Sequence, residues 1–368
     1  MSASSVKWVK IGSYIEQYFV RNSDGLYGES DAIGVNIEKE ILPMRGNISE
    51  KDFTNFYLVP PGSFAYNPRG SRKLGLGYNA TPNTYIITFN DVVFRIKPSA
   101  VSIIIPEYLF LYLCRKEWDR KAEYFSWGSS TEVFSWETLC DVEIPLPSIE
   151  VQQELVDTYN GLKALAEQNE ALIEPLSKAC EAFIVDCKSK YPEVELGKFM
   201  IKGEKNSTKT ISKVLGVAQS GFITPQKDPN ESLANYKIMR YKAICYAPPL
   251  YNIKSDAIQI YEYEEPAVCS PIYEVFYVDE KYILPHYLFI KLKRQEFKRY
   301  AEYYALGVRQ TFNYELMEQV KIPLPPIEIQ QSIVNLYNCL EEAKKIASEA
   351  REKLKTLCPA LVQRAANS

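Results

Sequence analysis

Tyr66, Asn67, Arg69, Arg72 and Lys73 fall within eight consecutive residues and bring together a phenol, a carboxamide, two guanidinium groups and an ammonium. Guanidinium and ammonium groups hold phosphate oxygens or fork onto guanine, Asn and Gln pair with adenine, and Ser, Thr and Tyr assist. Ser129, Ser130 and Thr131 form a second polar cluster in the stretch 128–131, between a predicted helix and a final strand. The second half of the chain carries a matching set: Gln226 and Lys227, Tyr246, Asn252 and Lys254, and Arg309 and Gln310 in Gly307-Val-Arg-Gln310. The chemistry these residues point to is hydrogen bonding and charge neutralisation on a nucleic acid, not bond making. Each one alone is equally an ordinary surface-loop residue, so the reading belongs to the clusters. A further basic run, Lys291, Lys293, Arg294, Lys298 and Arg299, is either a solvated helix face or a phosphate-binding strip.

Motifs for catalysis are incomplete. Asn67-Pro-Arg and Ala247-Pro-Pro-Leu250 approach the [DN]PP[FY] box of amino-methyltransferases, which needs a polar acceptor for the exocyclic amine and an aromatic to stack a flipped base. The first lacks the second proline and the aromatic, and the second lacks the acceptor and the aromatic; both read as turns at strand ends. Gly75-Leu-Gly-Tyr-Asn-Ala80 fits GxGxxA, but a strand rather than a helix is predicted after it, so a phosphate would have no helix N-terminus to bind. GxxxxGK[ST] does not occur, and no ATP site is expected. The single histidine, His286, reads as a helix-start residue, and Asp279-Glu-Lys281 as a solvated turn. The eight cysteines never form CxxC, so neither zinc nor a disulfide framework is indicated and core packing is expected. The expectation is therefore no catalytic residue, no metal and no cofactor.

A net charge of −3 argues mildly against a nucleic-acid binder, because phosphate neutralisation needs clustered Lys and Arg. Residues 1–148 carry −2, 149–190 −4, 191–326 +2 and 327–368 +1. Any grip on DNA must therefore come from local clusters or from a partner protein. No apolar run near Met1 suits a signal peptide and none is long enough to span a bilayer; a soluble, intracellular protein is expected.

What must position these clusters is a duplication. Ile144-Pro-Leu-Pro-Ser-Ile-Glu-Val-Gln-Gln153 recurs as Ile322-Pro-Leu-Pro-Pro-Ile-Glu-Ile-Gln-Gln331 at an offset of 178, which also pairs Tyr159 with Tyr337 and Cys180 with Cys358. Upstream, Pro106–Phe110 answers Pro285–Phe289 and Ala65-Tyr-Asn-Pro68 answers Cys245-Tyr-Ala-Pro248. Each half reads as a mixed domain with short β-branched and aromatic runs (85–89, 92–96, 272–278) and a helical segment opened by proline (106–124, 285–304). A helix of about 40 residues follows each IPLP element, roughly 60 Å long if unbroken. Leu155, Tyr159, Leu162, Ala166, Asn169, Ile173, Leu176, Cys180, Phe183 and Cys187 alternate steps of four and three, a heptad seam. Leu336, Leu340, Ala343, Ala347, Ala350, Leu354, Leu357 and Leu361 do the same. Pro175 and Pro359 lie inside these patterns, where a kink or break is expected; Asn169 is either a register-fixing seam residue or a solvated one at its edge. The expected class is α+β: two homologous mixed α/β domains separated by two long antiparallel helices forming a coiled coil, with pseudo-two-fold symmetry. The expected boundaries are 1–148 and 191–326 for the domains, and 149–190 and 327–368 for the helices.

Two mixed domains, each closed by I-P-[LV]-P-[PS]-[IL]-x-x-Q and a long helix, resemble the specificity subunit of type I restriction-modification systems over essentially the whole chain. Phe64-Ala-Tyr-Asn-Pro-Arg69 and Ser270-Pro-Ile-Tyr-Glu-Val-Phe276 also look like stretches of that family's target recognition domains. The resemblance implies that each domain reads one half of a bipartite double-stranded DNA target and that the paired helices set the spacer. It further implies that two methyltransferase subunits dock on those helices, at Gln152, Gln153, Tyr159, Gln330, Gln331 and Tyr337, and that restriction and translocase subunits join them. S-adenosylmethionine, ATP and magnesium would then sit on partner subunits, in a prokaryotic cytoplasm. Two other classes stay open: a self-sufficient methyltransferase or nuclease, and a coiled-coil scaffold whose two domains bind proteins.

Overall fold

Strand β9 (Val92–Ile96) is the hub of the first sheet because its apolar residues point to both faces and find a core on each. In the computed structural model, which describes residues 7–46, 51–69, 74–126, 133–225, 232–249, 257–305 and 311–367, β9 lies between β2 (Ile15–Gln17) and β6 (Ser63–Tyr66). Beyond β6 comes β7 (Leu76–Tyr78), and the order β2-β9-β6-β7 is antiparallel throughout. Phe64 is paired with Phe94 across β6 and β9, and their rings stack with centroids 4.8 Å apart. With Tyr66 and Ile96 they face one core, shared with α1 (Pro106–Leu113), α2 (Lys116–Ser126) and α3 (Trp136–Asp141). Ala65 and Val93, one residue out of phase, face a second core with Ile33, Val59 and Ile87. That core is covered by the pairs β3 (Ile33–Val35) with β4 (Ile41–Pro43) and β5 (Tyr57–Val59) with β8 (Tyr85–Ile87). A period of two thus buries both faces of one sheet.

The second half repeats this order. Strands β12 (Met200–Lys202), β19 (Glu274–Val278), β16 (Ile244–Tyr246) and β17 (Ile258–Ile260) form an antiparallel sheet ordered β12-β19-β16-β17. Its faces bury Ile244, Tyr246, Phe276 and Val278 on one side and Cys245, Cys269 and Val275 on the other. The flanking pairs are β13 (Gly216–Ala218) with β14 (Gly221–Ile223) and β15 (Lys237–Met239) with β18 (Ala267–Cys269). Helices α5 (Pro285–Lys293), α6 (Gln295–Tyr304) and α7 (Tyr314–Glu318) follow. Contacts divide the chain into two compact units, residues 1–168 with 346–368, and residues 169–345.

The IPLP elements are strands. β10 (Glu143–Leu146) pairs with β1 (Lys7–Lys10), and β20 (Lys321–Pro323) with β11 (Glu193–Glu195). Two-stranded ladders tolerate a proline that a central strand would reject. Just after β1 and β11 the chain passes so close to α3 and α7 that a Cβ on Gly12 would lie 2.6 Å from Cys140 Cβ, and one on Gly197 2.8 Å from Glu318 Cβ. Only glycine fits either crossing.

Each segment expected to be one helix is two. The breaks fall at Cys114-Arg115 and at Arg294, whose backbone is extended (φ −76°, ψ 154°). The physical cause is a change of buried face: Tyr108, Leu109 and Tyr112 give way to Trp118 and Ala122, and Tyr287 and Leu288 to Phe297 and Ala301. Side-chain caps restart the chain at α3 and α7, where Ser135 accepts from Thr138 N at 3.1 Å and Asn313 from Leu316 N at 3.1 Å.

The long helices α4 (Ile149–Lys190) and α8 (Ile327–Asn367) pack together and are continuous through Pro175 and Pro359, so of the kink or break expected there the break does not occur. Pro175 and Ala171 are both exposed, so the carbonyl that loses its N–H partner is left to water. In the first unit Val156 of α4 shares a core with Val362 of α8. In the second, Ile184 and Cys187 share one with Ile333 and Val334. Burial follows the heptad seam at Ala166, Cys180, Cys187, Leu340, Ala343, Ala347 and Ala350. It departs at Phe183, which is 46% exposed while Ile184 is buried. A straight helix of 3.6 residues per turn drifts about 20° per heptad against a 3.5 repeat, and the apolar core of the second unit takes Ile184 instead.

Candidate nucleic-acid interface

Two stretches of chain some 60 residues apart in sequence meet in each unit, Arg69 with Val133 and Pro249 with Thr311. At the end of β6, Asn67 N donates to Gly75 O at 3.0 Å, and Asn67 Oδ1 accepts from Arg69 N at 2.8 Å, a turn closed by its own side chain. Arg69 then bridges to Val133, and Phe134 N donates to Pro68 O at 2.9 Å. In the second unit Pro249 bridges to Thr311 and Phe312 N donates to Pro248 O at 2.8 Å. The chain after β6 or β16 therefore runs beside the chain after α2 or α6. Arg69 is exposed and Asn67 half-buried at this junction. Arg72, Lys73, Ser129, Ser130, Thr131, Gln226, Lys227, Asn252, Lys254, Arg309 and Gln310 lie outside the described residues.

Tyr66 and Tyr246 correct the sequence reading. Both are fully buried, as the inward position next to a strand end dictates, and neither side chain can reach DNA. Tyr66 packs edge-on against Phe94 and Phe134, and Tyr246 against Phe276. Burial holds both phenols well above their ordinary pKa, so they stay neutral, and among the described residues neither hydroxyl has a hydrogen-bond partner. A buried hydroxyl without a partner costs about 1–3 kcal/mol. Tyr66→Phe and Tyr246→Phe are accordingly expected to raise the unfolding free energy by about 1 kcal/mol each. Urea denaturation measures this, and a clear loss of stability in either variant would reveal a hydrogen bond to an internal water.

The helix-docking residues divide the same way. Gln152 and Gln330 are wholly buried. Gln152 Nε2 donates to Ile103 O and Pro147 O, both at 2.9 Å, and its Oε1 accepts from Ile105 N at 2.9 Å. Gln330 repeats this on Tyr282 O (2.7 Å), Pro325 O (2.9 Å) and Leu284 N (2.8 Å). Beside them Tyr108 donates to Pro145 O at 2.9 Å and Tyr287 to Pro323 O at 2.8 Å. Both glutamines are therefore corrected from docking residues to internal staples. Their signal in the sequence was the repeated Gln-Gln pair, which does not reveal which member faces inward. Gln153 and Gln331 are the exposed members, each donating to the residue one turn on, Asp157 Oδ1 at 2.8 Å and Asn335 Oδ1 at 2.9 Å. Tyr159 and Tyr337 are half-buried and pack on the cores of their own units. Ile149, Glu150, Gln153, Glu154, Asp157 and Thr158 line a shallow depression on the outer face of α4.

Other candidates resolve into structure. Arg294 of the basic run forks onto Glu181 at 2.7 and 2.8 Å and Lys291 is buried, so neither belongs to a free phosphate-binding strip. His286 pairs with Glu262 at 2.8 Å. Asp279 accepts from Lys281 N at 3.1 Å within a turn. Gly77 lies within β7, where a Cβ would strike Ile41 Cγ1 at 2.5 Å, so its role is close packing. Among the described residues no group of three His, Cys, Asp or Glu side chains could hold a metal ion, and no helix is long and apolar enough to cross a membrane. The buried Asn22 and Asn206 escaped the sequence reading. Asn22 bonds Tyr27 O, Phe53 O and Tyr27 N, and Asn206 bonds Ile211 O and Ile211 N.

The fold has solved relatives. The S subunit of the type I restriction-modification system of M. genitalium superposes with a TM-score of 0.58 at 13% identity, covering 99% of this chain and 97% of that one. The HsdS subunit of Thermoanaerobacter tengcongensis gives 0.39 at 16% identity over 100% and 97%. A chain from a study of complex assembly and conformational transition of the type I R-M system gives 0.34 at 16% identity over 100% and 99%. The first likeness places the chain in the mixed α/β fold class of that S subunit. Residues 15–176 match the family model described as type I restriction modification DNA specificity domain. No curated protein matches the sequence.

Proposed function

We propose that the whole chain is the DNA-specificity subunit of a type I restriction-modification complex. Residues 1–148 and 191–326 act as two homologous target recognition domains, each reading one half of a bipartite double-stranded target. Residues 149–190 and 327–368 act as an antiparallel coiled-coil spacer, an arrangement with pseudo-two-fold symmetry. A rigid duplicated reader suits two half-sites at a fixed separation, by the geometry that makes dimeric readers span about one helical turn. The observation that carries the reading is the convergence, in both units, of the chain after β6 or β16 with the chain after α2 or α6. It sets Pro68 and Arg69 beside Val133 and Phe134 in the first unit, and Pro248 and Pro249 beside Thr311 and Phe312 in the second.

Two methyltransferase subunits dock on the outward faces of the long helices, with Gln153 and Gln331 at the equivalent points. Restriction and translocase subunits complete the assembly in the prokaryotic cytoplasm. Bond making belongs to these partners, as do S-adenosylmethionine, ATP and magnesium. Co-expression of the full chain with its methyltransferase is expected to place methyladenine at one bipartite motif, read by long-read sequencing. Methylation without a common motif, from a partner verified as active, would sink the reading.

A further inference from the structure

We propose that Gln152 and Gln330 are positioning residues that set the angle between each recognition domain and its long helix, and so the spacer length the protein accepts between half-sites. The inference rests on the bipartite reading above. Each glutamine lies in the first turns of a long helix, is wholly buried, and bonds two carbonyls and one N–H. The partners sit on the extended segment that leads into α1 or α5 and on the Pro-Leu-Pro segment that leads into the helix itself. Three pieces of backbone are thereby tied at one side chain: the domain, the connecting strand and the helix. The arrangement is the same in both units to within about 0.2 Å.

Only a carboxamide of this length supplies both donors and the acceptor. Asparagine is one methylene short, and glutamate lacks the two N–H groups. The lever is short but sufficient. A domain of this size has a radius of gyration of roughly 13 Å, and a rotation of about 15° moves a point that far out by ~3.4 Å, one base-pair step. Slack at the staple therefore becomes slack in the spacer, while the loops that read bases are untouched.

The test uses the full chain co-expressed with its methyltransferase, with every methyladenine mapped by long-read sequencing and sorted by spacer length. Wild type is expected to show one spacer. Gln330→Met, which keeps length and removes all three bonds, is expected to keep both half-site sequences. It should raise methylation at spacers one base pair longer or shorter at least tenfold, with an unchanged ratio of copurified methyltransferase. Gln330→Glu, which keeps the acceptor, should fall between. A variant that lowers the melting temperature and scales all methylation down at a single spacer would assign the glutamine a purely structural role and overturn the proposal. Where Gln330→Met does not accumulate, Gln330→Glu and Gln152→Glu carry the test, and a strict spacer in both overturns it equally. Absence of any bipartite motif with the wild-type chain would instead bring down the reading beneath it.

Discussion

Exchanging residues 1–148 for the first recognition domain of another specificity subunit is expected to replace one half of the methylated target and leave the other half unchanged. Each unit has its own sheets and its own apolar cores, so under the proposed function each half-site is assigned to one unit. A mismatched base pair costs about 1–3 kcal/mol; with three altered positions, methylation of the original half-site should fall by a factor on the order of 10² or more. The graft must keep the apolar surface that receives Val156, Tyr159 and Val362, because these helix residues complete the first core. Long-read sequencing of a host carrying the hybrid and the methyltransferase gives the answer. A hybrid whose target changes in both halves would contradict the assignment of one half-site to each domain.

Asp119→Ala is expected to destabilise the first unit by about 3–5 kcal/mol, the usual cost of leaving one member of a buried ion pair alone. Lys39 is the residue stranded. Its ammonium is nearly inaccessible, held at 2.5 Å by Asp119 Oδ1 and at 2.6 Å by Leu74 O. Lys39 also has φ +65°, in the turn between β3 and β4, so the pair ties that hairpin to α2 and to the backbone of Leu74. Lys39→Met added to Asp119→Ala should restore much of the loss, since the buried charge is removed with its partner. Chemical denaturation of the two variants measures both numbers. A single-variant cost below about 1 kcal/mol would mean that water reaches the ammonium.

Much of the architecture was legible because it depends on local pattern. Proline opens α1 and α5, as the sequence predicted, and the seam of alanines in α8 is buried. Periodicity reports which face of an element is apolar, a property each element carries by itself. The errors arose where two apolar faces or two polar roles competed. Tyr66 was chosen for its phenol and its place beside Asn67, yet in a sheet buried on both faces a strand-end tyrosine belongs to the core. Periodicity in 106–124 and 285–304 was real but belonged to two helices with different inward faces. Pro175 was expected to kink or break α4; the helix runs on through it, and solvent on that face takes the freed carbonyl.

The sequence by itself determined the duplication, the short strands, the long helices and the residue types available for contact with DNA, because these follow from spacing and composition along one chain. Only the tertiary structure decided that Pro68 and Arg69 lie beside Val133 and Phe134, and Pro248 and Pro249 beside Thr311 and Phe312. It alone decided that Gln152 and Gln330 turn inward while Gln153 and Gln331 turn outward. The reason is that two adjacent identical side chains on a helix differ by about 100° of rotation, and which of them meets buried backbone depends on what packs there. That neighbour, the segment before α1 or α5, comes from nearly 50 residues away.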